Sequence, residues 1–260
     1  MILHYIAKEM PILRFKWWTC LNKIYYPYFR LSEDLDFTIP VDEAVVDSNT
    51  KRATFAQTMR DKIKHIANTM WRTLNDDKFH HKKAQWNKDL AKKEKTYLKY
   101  ILTYSSVVDQ SNQTIKIEIT YATKQYFPSK TLPIVSCFVD PVLEEDVFPA
   151  QSIQCLDIAE MVTEKCRAAM TRRVPAIRDF FDLWYLDKQG IDITKNKDII
   201  IAKCHEVKEL SWTLLENYDT LETQEISDLK PMLDSVYKFD LHNIYSKILW
   251  LQNEIKTHFS

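Results

Sequence analysis

Asp34 and Asp36 stand two residues apart within the segment from Arg30 to Phe37. Their apolar neighbours favour a β-strand, and strand side chains alternate, so both carboxylates should leave one face. Carboxylate oxygens are the ligands that a hard divalent cation takes. Two on one strand and a third from a neighbouring strand can hold two Mg²⁺ ions roughly 4 Å apart, activating an attacking hydroxyl and stabilising a leaving pyrophosphate. An isolated Asp-x-Asp is more often a solvated strand or turn pair, so its meaning depends on partners elsewhere in the chain.

Glu118 is the first such partner. Ile115, Ile117 and Ile119 alternate with Lys116, Glu118 and Thr120, which predicts a strand carrying Glu118 on its polar face. The plainer reading is an exposed carboxylate paired with Lys116 or a cross-strand lysine. An Asp pair awaiting a third ligand favours the metal reading. Lys165 precedes Arg172 and Arg173 by about two helical turns, so these cations can share a face suited to triphosphate oxygens. Arg178 and Asp182, four apart, can pair on a helix, worth a few tenths of a kcal/mol if purely structural. His80 and His81 have no Cys or His companion at zinc spacing.

These residues must be positioned by a chain of 260 residues, long enough for one large domain or two small ones. With 45% apolar and 28% charged residues it reads as a soluble globular protein, and its formal net charge of zero leaves any nucleic-acid surface local. Gly190 is the only glycine, which excludes a glycine-rich phosphate loop. Five cysteines without metal spacing read as reduced thiols of a cytoplasmic protein. No apolar run approaches the 18 or so residues of a membrane span, and Lys8, Glu9 and Arg14 interrupt the N-terminal apolar stretch, so neither a membrane nor secretion is expected.

The pattern predicts helix over 2–9, strand over 12–15, helix over 18–26, strand over 34–39 and a long amphipathic helix from Ser48 to Leu74. Residues 75–95 are polar and lysine-rich, with Phe79 and Trp86, and read as a solvated excursion or a basic, partly aromatic RNA surface. A hairpin over 97–107 and 114–121 and a strand over 132–139 follow. Helices are then expected over 158–171, 176–190, 195–217, 227–239 and 241–258. Strands first and helices afterwards argue an α+β class with a helical C-terminal half.

Phe15-Lys16-x-x-Thr19-Cys20-Leu21, followed by Arg30-x-Ser32-x-Asp34-x-Asp36-Phe37, resembles the opening of the AbiEii/AbiGii toxin-family nucleotidyltransferases of the DNA polymerase β-like superfamily. Glu164-Lys165 with Arg172 and Arg173, and then Arg178-Asp179-Phe180-Phe181-Asp182, resemble that family's later signature segments, and Glu118 occupies the place of its third acidic strand. The similarity spans roughly residues 10 to 190. It implies a polymerase β-like mixed sheet with flanking helices over residues 1–153, and a helical domain over 154–260 that completes the active site. It further implies a toxin of a toxin-antitoxin system, with an antitoxin partner, that transfers a nucleotide from an NTP with Mg²⁺ to an RNA acceptor such as a tRNA 3′ end. Asp34, Asp36 and Glu118 are the expected metal ligands, with Lys165 and Asp182 also catalytic. Thr19, Arg30, Ser32, Lys165, Arg172, Arg173 and Arg178 are expected to bind nucleotide.

One departure bears on activity. The family carries Gly-Gly before the Thr of its first segment, where this chain has Trp17-Trp18. Paired glycines let backbone N–H groups approach phosphates, whereas each indole brings about 200 Å² of surface to place. The indoles belong to an engineered disarmed toxin, a natural degenerate copy, or a remodelled working site with the rings in the core. Two rival functions stand beside the RNA-directed toxin: nucleotidylation of a small molecule such as an aminoglycoside, and a non-catalytic binding or immunity protein on the same fold.

Overall fold

The computed structural model describes residues 2–26, 29, 34–40, 49–74, 97–105, 111–135, 140, 142–146, 150–207, 210–212, 214, 218–230, 233 and 237–259. The basic stretch 75–95, Arg30 and Ser32 lie outside these. The chain divides into two compact units, Met1–Tyr28 with Ser32–Asp157, and Phe29–Leu31 with Ile158–Ser260.

The first unit is built on a mixed six-stranded sheet. Helix α1 (Ile2–Glu9) stops ahead of Pro11, and β1 (Arg14–Phe15) leads into a short helix α2 (Trp17–Cys20) that widens into a π-type turn, Leu21–Tyr25. Then come β2 (Leu35–Pro40), α3 (Asn49–Leu74), β3 (Tyr97–Ser105), β4 (Asn112–Thr123), β5 (Lys130–Pro133) and β6 (Ser152–Cys155). Their order across the sheet is β3-β4-β2-β1-β6-β5. β2 runs parallel to β4 and β1 parallel to β6, while the remaining neighbours are antiparallel. Phe15, Phe37, Ile39, Ile117 and Ile119 are completely buried on the apolar side, with the Phe15 and Phe37 rings 5.2 Å apart. Each contributes about 1.5–3 kcal/mol by leaving water. Met59, Ile63 and Ile66 form the buried stripe of α3 that their spacing predicts.

Two strand expectations change. β6 was not expected, because four residues with two polar positions, Ser152 and Gln154, are too short to establish a period. β5 begins at Lys130 rather than Leu132 and ends at Pro133, beyond which the Ile134 N–H still donates to the Gln151 carbonyl at 2.8 Å, and 136–139 lie outside the described residues.

The second unit is helical, with α4 (Ile158–Thr171), α5 (Ile177–Lys188), α6 (Lys197–His205), α7 (Tyr218–Gln224) running into a π-type turn at Glu225–Leu229, and α8 (Leu241–Lys256). The helix expected over 195–217 stops at His205, where the Glu206 and Val207 N–H groups turn back to the Lys203 and Cys204 carbonyls in tighter three-residue steps. Of the one expected over 227–239, residues 227–229 belong to the π-type turn that follows α7, residues 237–239 are not helical, and 231, 232 and 234–236 lie outside the described residues. Gly190, at φ +83, closes α5: its N–H donates to the Asp187 carbonyl and that of Ile191 to the Leu186 carbonyl, each at 3.0 Å. This double bond pattern with a left-handed residue is the reason glycine stands there. Among the described residues no helix is long and apolar enough to cross a membrane.

Candidate active site

The sheet carries the carboxylates. Asp36 on β2 lies directly opposite Glu118 on β4, and Leu35, Phe37 and Ile39 face the core beside Ile117 and Ile119. The two-residue period therefore puts Asp36 and Thr38 on one polar face with Lys116, Glu118 and Thr120, and Asp34, just ahead of β2, continues that row. Neighbouring strands lie about 4.8 Å apart, so Asp36 and Glu118 start from adjoining positions.

Lysines meet these carboxylates. Lys99, across the antiparallel β3–β4 pair from Glu118, places Nζ 2.9 Å from Glu118 Oε1, the cross-strand pairing that the plainer reading expected. Lys116 Nζ lies 3.4 Å from Asp34 Oδ1. Further along the face Lys16, which is buried, donates from Nζ to Thr120 Oγ1 at 2.7 Å, and Thr120 is 3.3 Å from Thr38 Oγ1. Among the described residues no three His, Cys, Asp or Glu side chains gather closely enough to hold a metal ion. The donor set nevertheless suits one, because Asp34, Asp36 and Glu118 offer hard oxygens from one face and two of them already carry a cationic group.

The turn between β1 and α2 lies against this row. The Lys16 N–H donates to the Asp36 carbonyl at 2.9 Å, and the Thr19 hydroxyl, wholly buried, donates to the Asp34 carbonyl. Thr19 thus fixes the backbone that presents Asp34. Trp17 adopts φ +58, the left-handed conformation that glycine takes without cost. A side chain held there costs on the order of 1–3 kcal/mol. Trp17 and Trp18 are half-buried, and the Trp17 ring centroid lies 5.0 Å from Lys16 Nζ, the ammonium bound to Thr120. One indole therefore stands beside the polar face, against the reading that packs both rings into the core.

The second unit holds a buried ion cluster. Lys165 on α4 is completely buried, with Nζ 3.4 Å from Asp179 Oδ1 and 3.4 Å from Asp182 Oδ2. Asp179 and Asp182 sit three apart in the first turns of α5, where the positive end of the helix dipole favours negative charge. Asp179 also accepts from Arg172 Nη1 at 2.6 Å. Ala176 supplies no cap to α5. Gln224 does so instead, its Oε1 accepting from the Ile177 N–H at 2.9 Å and its Nε2 donating to the Pro175 carbonyl at 3.0 Å.

Two expectations are corrected here. Lys165, Arg172 and Arg173 do not form one helical face of cations, since α4 ends at Thr171 and Lys165 turns inward while both arginines lie beyond the helix. Asp182 meets Lys165 rather than Arg178, which is exposed. Sequence reasoning passed over Lys16, Lys99 and Asp179 as site residues. Lys99 is legible only once its register with Glu118 is known, whereas Asp179, three before Asp182 in the same segment, carried a usable spacing signal.

A family profile described as "Nucleotidyl transferase AbiEii toxin, Type IV TA system" matches residues 12–245. The chain belongs to the AbiEii family. It is accordingly a nucleotidyltransferase of a toxin-antitoxin system, with an antitoxin implied as partner. Among solved structures, the AbiEii chain is similar to MenT4, a nucleotidyltransferase toxin of Mycobacterium tuberculosis H37Rv, at 15% identity and TM-score 0.52, covering 97% of this chain and 80% of that one. It also matches JHP933 of Helicobacter pylori at 16% identity and TM-score 0.47, covering 99% and 90%. The MenT4 likeness supports the α+β nucleotidyltransferase fold expected from the order of elements. No curated protein sequence matches significantly.

Proposed function

We propose that this AbiEii protein transfers a nucleotide from an NTP to an RNA acceptor, a tRNA 3′ end, in the cytoplasm. The observation that carries the reading is the in-register placement of Asp36 and Glu118 on parallel strands, with Asp34 on the same face. Asp34, Asp36 and Glu118 would hold Mg²⁺, which when bound supplies Lewis-acid activation of the acceptor hydroxyl and the triphosphate. The acceptor oxygen bonds to the α-phosphorus, the bond to pyrophosphate breaks, and the hydroxyl proton passes to a carboxylate of this row. Thr19 keeps the Asp34 backbone in place. Lys165 and Asp182, closed to solvent, act by fixing Asp179 and through it Arg172, whose side chain is 44% exposed and able to meet a phosphate oxygen. Arg173 and Arg178, both exposed, add positive charge for the same purpose.

The Trp17 indole beside the polar face impedes triphosphate in the chain as it stands. The test is incorporation of each labelled nucleotide, with Mg²⁺, into total tRNA and into aminoglycosides, by this chain, by a Trp17→Gly, Trp18→Gly double variant, and by the double variant carrying Asp36→Ala. The expected result is labelling of tRNA, strongest with the double variant and abolished by Asp36→Ala. Labelling of aminoglycoside alone would replace the RNA reading by the small-molecule one. Equal, tight NTP binding with and without the tryptophans would remove the proposed obstruction.

A further inference from the structure

The lysines on the carboxylate face have a role that follows from where they stand. Lys99 reaches Glu118 from one neighbouring strand, and Lys116, two residues before Glu118 on β4, reaches Asp34 on the other side. Glu118 thus pairs with a lysine of β3 and Asp34 with one of β4. No three acidic groups then converge among the described residues, although three leave one face. Both lysines are partly exposed, at 28% and 41% of side-chain surface, so each ammonium can exchange into water on its flexible stem. Lys16, by contrast, is 8% exposed and hydrogen-bonded to Thr120.

We infer that Lys99 and Lys116 are resident counter-cations of the carboxylate row, which a divalent cation must displace to bind. This rests on the proposed assignment of Asp34, Asp36 and Glu118 as metal ligands. Carboxylates at adjoining strand positions repel one another unless a positive charge lies close by. An ammonium supplies one charge at hydrogen-bond distance, whereas a divalent ion supplies two at about 2.0–2.1 Å from the oxygens and outcompetes it. The displaced ammoniums remain on the same side of the sheet and oppose a bare cation there. Metal arriving with the negative charge of a triphosphate meets no such opposition. The lysines thereby favour joint binding of metal and nucleotide over binding of metal alone.

Mn²⁺ titration of the full chain, followed by electron paramagnetic resonance at constant ionic strength, tests this for the unsubstituted protein and for Lys99→Met, Lys116→Met, Lys130→Met and Asp36→Asn. Lys130 pairs with Asp157 elsewhere on the sheet and serves as control. The expected result is Mn²⁺ affinity raised roughly three- to tenfold by either Lys99→Met or Lys116→Met, unchanged by Lys130→Met, and lost in Asp36→Asn. Unchanged or weaker affinity in both lysine variants, with Asp36→Asn still abolishing binding, would overturn the counter-cation role and leave the metal assignment standing. Mn²⁺ binding that survives Asp36→Asn, or none in the unsubstituted chain and in both lysine variants, would overturn both. Should a lysine variant fail to fold, lysine side-chain resonances of the unsubstituted protein decide the matter. Mg²⁺ should shift Lys99 and Lys116 but not Lys130, and absence of that selective shift overturns the proposal.

Discussion

The carboxylates of the sheet face and those opening α5 both meet lysines, yet Lys99 keeps 28% of its side-chain surface in contact with solvent while Lys165 keeps none. At the sheet face each pair competes with water and with any arriving cation, so its net worth is small and its partners are exchangeable. Lys165 is closed to solvent, and removal of one partner strands the others in a medium that solvates them poorly. The same two functional groups thus make a replaceable contact in one unit and a fixed scaffold in the other. What distinguishes them is the surrounding dielectric and the second carboxylate that encloses Lys165.

The comparison breaks most visibly at Asp179. Asp179→Ala removes the group shared by Lys165 and Arg172, and urea unfolding should show a loss of about 3–5 kcal/mol. A loss under 1 kcal/mol, roughly the surface value, would mean that the cluster is no more committed than the sheet pairs. Glu160→Ala sharpens the same contrast, since Lys203 lies 2.6 Å from Glu160 with both side chains under 5% exposed. Here about 2–4 kcal/mol should be lost, less than at Asp179 because Glu164 remains 3.5 Å from Lys203. Nucleotide binding by the folded Glu160→Ala chain should be unchanged in calorimetry.

At Trp17 the backbone rather than charge is at issue. Trp17→Gly should be more stable than Trp17→Ala by about 1 kcal/mol in thermal unfolding, the reverse of their order at an ordinary helical position, because φ +58 suits only glycine. Equal stability would show that the turn relaxes when the indole is removed. The smallest effect is expected at Glu118. Glu118→Gln should cost less than about 1 kcal/mol, and the cost should fade in about 1 M salt, whereas that of Asp179→Ala should persist.

Much of the sheet site was legible beforehand because a period of two places side chains without knowledge of the rest of the fold. The alternation around Asp36 and around Glu118 appears as two polar rows, and strand pairing makes them neighbours. That β2 and β4 are parallel and adjacent depends on long-range packing, which local spacing does not encode. Residues 158–171 were read correctly as a helix, but the inward turn of Lys165 was not. Its two carboxylates lie 14 and 17 positions later, across a turn, and only the packing of α4 on α5 brings them near. The π-type turns escaped for a related reason, since their apolar positions satisfy an ordinary helical period equally well.

The cap on α5 adds a constraint of another kind, in the order of protein synthesis. The helix opens with the carboxylates that enclose Lys165, yet Ala176 leaves its first N–H to Gln224, 47 residues further on. A nascent chain that has released α4 and α5 from the ribosome still lacks that acceptor, so α5 stays uncapped until α7 has followed. For a protein of a toxin family this places the capping of α5 late in translation, and a chain truncated before Gln224 would carry the carboxylate row of its first unit without that cap in its second.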